Sequence, residues 1–242
     1  MKKIVVEDYA ALSQAAADWV CAAVAAQPQA TAVFPTGASP VGMYQELADR
    51  HRRGAFDAGR LRLFVLDEYW GLTPDDPRTL YRWLEQAFLT PLEISTAQVT
   101  RLPTYAADAL TVARAYDEAV AAAGGLDIAV LGLGPNGHLG YNEPPAAAAA
   151  PTRVLTLTES SLQGASTYFG GYDRVPRQAI TLGMAALLAA RQILLIVAGA
   201  GKRAILHQAL QGPVTPDVPA SYLQNMPNVT LIVDRAAWTG TG

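Results

Sequence analysis

Cysteine is almost absent: Cys21 is the only one in 242 residues. An internal disulfide is therefore excluded, which suits a reducing compartment. Cys21 sits in an alanine-rich helical pattern and is read as a packing residue. Histidine is nearly as scarce. His51, His138 and His207 are scattered, with no spacing that would let them share a metal ion, so no metal is expected. Charged residues make up only 16% of the chain, and a formal net charge of −3 gives no support for a nucleic-acid partner. No run of 18 apolar residues occurs, so no membrane span is expected. The opening MKKIVVEDYA is too short in its apolar part, and too acidic, for a signal peptide. A soluble cytoplasmic protein is the expectation. Also missing are a Walker loop, a dinucleotide fingerprint and a nucleophile-elbow serine.

What is present is ample material for a core, with 51% hydrophobic residues. Strand-like runs at residues 3–7, 31–34, 61–66, 128–133, 154–157, 179–183, 192–197 and 229–233 alternate with helical patterns at 9–26, 40–53, 77–89, 106–123, 184–190 and 202–210. A short helix is expected at residues 220–225. This alternation predicts an α/β fold: an open, mainly parallel, Rossmann-like sheet with helices on both faces. No composition break divides residues 1–242, which read as one domain. The alanine-rich residues 146–150 read as an exposed flexible connection, and residues 158–177, rich in Ser, Thr, Gly and Tyr, as a mobile lid.

The polar residues collect at strand-to-loop junctions. VLGLGPNGHLGYNEP, at residues 130–144, ends an apolar strand in a glycine-rich loop that delivers Asn136, His138 and Glu143. His138 and Glu143 can pair, the acid fixing the tautomer while the ring shuttles protons; a structural histidine in a tight turn is the plainer alternative. Thr36, Gly37, Ala38 and Ser39 precede a helix start, where free N–H groups and the positive dipole end suit a phosphate, or serve merely as an N-cap. Asp67 follows the 61–66 run and could be a general base if partly buried, or a solvated turn acid. Lys202 stands at another helix start, as a second phosphate contact or a solvated lysine.

Taken in order, FPTGASP, LDEYWGL, GLGPNGHLGYNEP, GAGKRAIL and VPASYLQ make the chain resemble the glucosamine-6-phosphate deaminase (isomerase) family, relatives of the 6-phosphogluconolactonases. The resemblance runs from Thr31 to Val233, and GHxxxNEP looks like the deaminase branch. It implies a phosphosugar substrate held by Thr36–Ser39 and Lys202, with Asp67 moving a proton between carbons 2 and 1. It also implies that His138 opens the pyranose ring, assisted by Glu143 and oriented by Asn136, and that no cofactor is needed. The implied reaction takes glucosamine 6-phosphate and water to fructose 6-phosphate and ammonia. Galactosamine 6-phosphate deamination, a lactonase activity and a non-catalytic sugar-phosphate sensor are the rivals. Two departures stand out. Thr167 occupies the position of the family's lid arginine, with Arg174 and Arg177 as candidate substitutes. Arg153 matches one residue of the family's allosteric site, but Leu155 replaces its lysine, so no such activation and a monomer or small homo-oligomer are expected.

Overall fold

The computed structural model describes residues 1–238 and 240. Seven parallel strands form the central sheet: β1 (Lys2–Val6), β2 (Thr31–Phe34), β3 (Arg62–Val65), β5 (Val99–Thr100), β6 (Ile128–Gly132), β9 (Gln192–Val197) and β10 (Val229–Asp234). Their spatial order is β1-β10-β9-β6-β2-β3-β5. β2 and β10 are buried along their whole length, so both faces of the sheet are covered. Helix α1 (Tyr9–Ala26) begins at Asp8, whose carboxylate accepts the Ala11 N–H, and packs on α2 (Val41–Arg52). The contact is close: a Cβ on Gly42 would stand 2.1 Å from Ser13 Oγ. Below the start of α2, the rings of Phe34, Tyr44 and Phe88 stack at 4.5–4.6 Å centroid distances, fixing the end of β2.

The strand order places the site. From β2 the chain moves outward to β3 and β5, then returns to lay β6 against the other side of β2 and moves away through β9 and β10. Right-handed crossovers then put α1 and α2 on one face, and α4 (Ala109–Ala122) and α7 (Arg203–Gln211) on the other. Loops leaving β2 and β6 consequently part in opposite directions and open a crevice at their carboxyl ends.

Several expectations need correction. Residues 61–70 are not one strand with a polar turn. The chain breaks at Leu66 and continues as β4 (Asp67–Trp70), an edge strand of a second, antiparallel sheet in the order β4, β8 (Gln178–Thr181), β7 (Arg153–Thr156). Residues 77–89 are not a single helix but α3 (Leu80–Leu84) running into a π turn at Glu85–Leu89. Nor is the alanine run loose at its ends. Ala146 is buried and bonds through its N–H to the Pro216 carbonyl, while the Ala150 carbonyl accepts the Ala185 N–H; only residues 147–149 are exposed. Within the segment read as a lid, residues 159–169 form a helix, α5 (Glu159–Phe169), preceded by Thr158 and ended by Gly170 in the left-handed region. The remaining helix between strands is α6 (Met184–Leu188).

Candidate active site

Loops from the two central strands, the first residues of β4 and one face of α5 enclose a cavity of about 420 Å³. Thr36–Ser39 form its wall beyond β2. Gly37, at φ +91°, bends the chain there. Among the described residues, no protein acceptor takes the backbone N–H of Thr36, Gly37, Ala38 or Ser39. Four unanswered donors beside a helix start make a seat for an anion. Lys202 lines the same cavity from the end of β9, half-buried, with no ion pair among the described residues. Burial pushes its ammonium pKa down, a cost that a bound anion would relieve.

Strand alternation sorts the residues of β4. Asp67 and Tyr69 face the cavity, while Glu68 between them turns away. The Glu68 carboxylate accepts N–H groups from Leu80 at 2.8 Å and Tyr81 at 2.9 Å, capping the start of α3. The Asp67 carboxylate receives no hydrogen bond among the described residues, and the residue is only 7% exposed. Burial, reinforced by the neighbouring Glu68 charge, pushes its carboxyl pKa up to about 7. That is the property a general base needs near neutrality.

His138 faces Asp67's cavity from the loop after β6. Its ring lies so close over Gly134 that a Cβ there would stand 2.1 Å from Cδ2. Nδ1 lies 3.1 Å from Glu143 Oε2, leaving Nε2 as the nitrogen free for chemistry. Burial pushes the Glu143 carboxyl up, but hydrogen bonding with His138, the His138 charge and the Asn136 amide outweigh it and bring it to about 2. Asn136 does not touch the imidazole by any hydrogen bond. Its Nδ2 donates to Glu143 Oε2 at 2.7 Å and to Thr158 Oγ1 at 3.2 Å, and its Oδ1 accepts the His138 backbone N–H at 3.3 Å. Thr158 precedes α5 and its N–H reaches Glu143 Oε1 at 3.4 Å, so the same carboxylate joins the histidine loop to that helix.

Asp67, His138, Thr36–Ser39 and Lys202 thus share one cavity, with Glu143 and Asn136 one layer behind His138. Thr167 is exposed and does not line it. Neither Arg174 nor Arg177 lines it either; Arg177 stacks on Tyr172 at 4.5 Å and lies 3.7 Å from Asp173. The sequence reading missed Ser161, Tyr168, Tyr69 and Tyr141. Ser161 and Tyr168 are seven apart on α5, a helical spacing, and Tyr69 lies two residues beyond Asp67 on a strand; both were available signals. Tyr141 donates its hydroxyl proton to the Tyr69 oxygen at 2.7 Å. Ser161 Oγ is buried near Glu143 without a hydrogen bond of normal geometry.

The family model described as glucosamine-6-phosphate isomerases/6-phosphogluconolactonase matches residues 7–232. The chain belongs to that family. Within it, the chain is 38% identical over 238 residues to the glucosamine-6-phosphate deaminase of Halothermothrix orenii, covering 98% of both. It is 36% identical to the Rhodopirellula baltica protein of the same name, over 96% of this chain and 93% of that one. A solved structure of a monomeric glucosamine-6-phosphate deaminase superposes with a TM-score of 0.94 at 32% identity, covering 98% of each chain. The 6-phosphogluconolactonase of Trypanosoma brucei shares the family fold, with a TM-score of 0.78 at 21% identity over 98% of this chain and 97% of that one. No group of three or more His, Cys, Asp or Glu positioned for a metal ion occurs among the described residues of this family member, and no helix there is long and apolar enough to cross a membrane.

Proposed function

We propose that the protein is a glucosamine-6-phosphate deaminase that converts glucosamine 6-phosphate and water to fructose 6-phosphate and ammonia. The observation that carries this reading is the shared cavity: a buried, unpaired carboxylate and a carboxylate-backed imidazole face one space with an anion seat in its wall. The 38% identity to a named deaminase over nearly the full length supports it.

In this mechanism the phosphate rests on the N–H groups of Thr36–Ser39 and on Lys202. Its binding energy holds the remote reacting carbons in place. Glu143 keeps the Nδ1 proton of His138, so Nε2 is free to accept the O1 proton of the cyclic sugar and deliver it to the ring oxygen. Ring opening exposes an aldehyde and acidifies the hydrogen on carbon 2. Asp67, ionised in substantial part at neutral pH, takes that proton and returns it to carbon 1. O1 gains a proton, the amino group loses one, and the resulting ketimine is hydrolysed to ketone and ammonia. Asn136 serves by holding Glu143 and the His138 backbone. Residues 158–177 act as a lid, with Ser161 and Tyr168 of α5 on the face turned to substrate.

The substrate partner is a phosphosugar, and the structural likeness to a monomeric deaminase favours a monomer over a small homo-oligomer. A sugar phosphate is charged and does not cross a bilayer unaided, which supports action in the cytoplasm. The deciding experiment incubates the purified protein with glucosamine 6-phosphate, galactosamine 6-phosphate and 6-phosphogluconolactone and measures ammonia and fructose 6-phosphate. Ammonia release from the gluco epimer with the highest kcat/KM is the expected result; lactone hydrolysis alone would overturn it.

A further inference from the structure

Two tyrosine hydroxyls grip the outer side of the anion seat. Tyr44, buried on α2, donates to the Pro35 carbonyl at 2.6 Å. Tyr9, the first residue of α1, lies 3.0 Å from the Ala38 carbonyl oxygen and 3.2 Å from that of Ser39, and donates its one proton to this pair. The same oxygen accepts the Gly42 N–H at 2.9 Å. That N–H belongs to the first turn of α2, where Pro40 offers no side-chain cap, so Tyr9 satisfies a donor the helix itself leaves open.

A trans peptide unit is planar, and its C=O and N–H point in opposite directions. Holding the Pro35 carbonyl outward therefore turns the Thr36 N–H toward the cavity. Holding the Ala38 carbonyl outward does the same for the Ser39 N–H. Both N–H groups lack an acceptor within the described residues, and both residues line the cavity. Gly37 between them, at φ +91°, has no side chain to hinder the turn.

We infer that Tyr9 and Tyr44 are positioning residues for phosphate binding: through their hydroxyls they aim the Ser39 and Thr36 N–H groups into the anion seat. This rests on the phosphosugar reading of the cavity and adds to it two residues that never touch the substrate. Tyr9 reaches the loop from a different helix and is 38% exposed at the surface, so its hydroxyl can be removed without opening the core.

The test compares wild type with Tyr9→Phe, Tyr44→Phe and Ser13→Ala. It measures KM and kcat for glucosamine 6-phosphate and, by calorimetry, the Kd for inorganic phosphate. Tyr9→Phe is expected to raise KM and the phosphate Kd in parallel, on the order of three- to tenfold, with kcat within twofold, as suits weakened hydrogen bonds to a charged group. Tyr44→Phe is expected to move both in the same direction. Ser13→Ala breaks the 2.8 Å bond from Ser13 Oγ to the Tyr9 carbonyl at the same helix contact but spares both grips, and should leave Kd unchanged. An unchanged phosphate Kd in Tyr9→Phe overturns the inference, as does a fall in kcat at constant KM. If wild type binds phosphate but releases no ammonia, the deaminase reading falls while the Kd comparison still decides this one. Failure of wild type to bind phosphate sinks both.

Discussion

At the scale of single residues, Asp67 is the group on which the proposed chemistry turns. Asp67→Asn is expected to lower kcat by about 10²–10⁴-fold, the usual worth of a positioned base, with KM changed little. Near-normal turnover would remove Asp67 from the reaction. Because burial and Glu68 hold its carboxyl at about 7, kcat/KM should climb with pH and level off above that value, since only the ionised form can take the proton. A profile already flat from pH 5 would show that the titrating group lies elsewhere. His138 is assigned a separate step. His138→Gln should depress turnover of the cyclic substrate more than that of an open-chain analogue, and equal losses would contradict the ring-opening role. Lys202 is assigned to binding rather than chemistry: Lys202→Ala should raise KM with kcat nearly constant, which steady-state kinetics on glucosamine 6-phosphate will decide.

At the scale of elements, what could be read from the sequence depended on how local the determining forces were. β2, β6, β9 and β10 are continuous apolar runs between turn signals, so composition alone outlines them. The loops after β2 and β6 announce themselves through Gly37, Gly134 and Gly137, and the residues they carry meet in one cavity. β4 is different. DEYW sets two acids that disfavour strands before two aromatics that favour them, and becomes a strand through antiparallel pairing with β8, in which Asp67 sits opposite Thr181 more than a hundred residues away. The sequence reading weighed a general base against a solvated turn acid there and had no means of seeing Glu68 turned onto α3, the neighbour that helps raise Asp67. Asn136 was expected to orient the His138 ring, and its bond to Glu143 emerges only from the folded loop. Gly134 carries a prediction at this scale. Gly134→Ala would drive a methyl group into the His138 ring, which must then leave its bond to Glu143. The expected result is a large loss of kcat with an intact circular dichroism spectrum and little change in phosphate binding. A fully active Gly134→Ala would mean that the imidazole tolerates displacement.

Over the whole molecule, the sheet order sets a conflict between stability and function. The direction in which the chain adds strands reverses between the parallel neighbours β2 and β6, and the crevice opened there gathers loops whose sequence positions run from 36 to 202. Such a crevice can hold a carboxylate that has no protein partner only because the surrounding core is large enough to bear the cost. The sign of that cost follows from linkage. Asp67 has its folded pKa raised from 3.8 to about 7, so between those values the native state binds more protons than the unfolded chain. Stability associated with this group therefore falls as pH rises through that window and is lowest above about 7. Glu143 has the opposite sign: its depressed pKa contributes stability above its ordinary 4.5, and that contribution is lost as pH falls toward about 2. Asp67→Asn removes the buried charge while keeping its shape. In urea unfolding at pH 8 the variant should be more stable than wild type by about 2–4 kcal/mol. At pH 4 the difference should shrink toward zero, because the wild-type acid is then neutral in the folded state and close to its ordinary pKa of 3.8 in the unfolded chain, where protonation costs little. A variant less stable than wild type at pH 8 would show that the Asp67 charge is compensated in the fold, and the reason for its raised pKa would have to be sought outside burial.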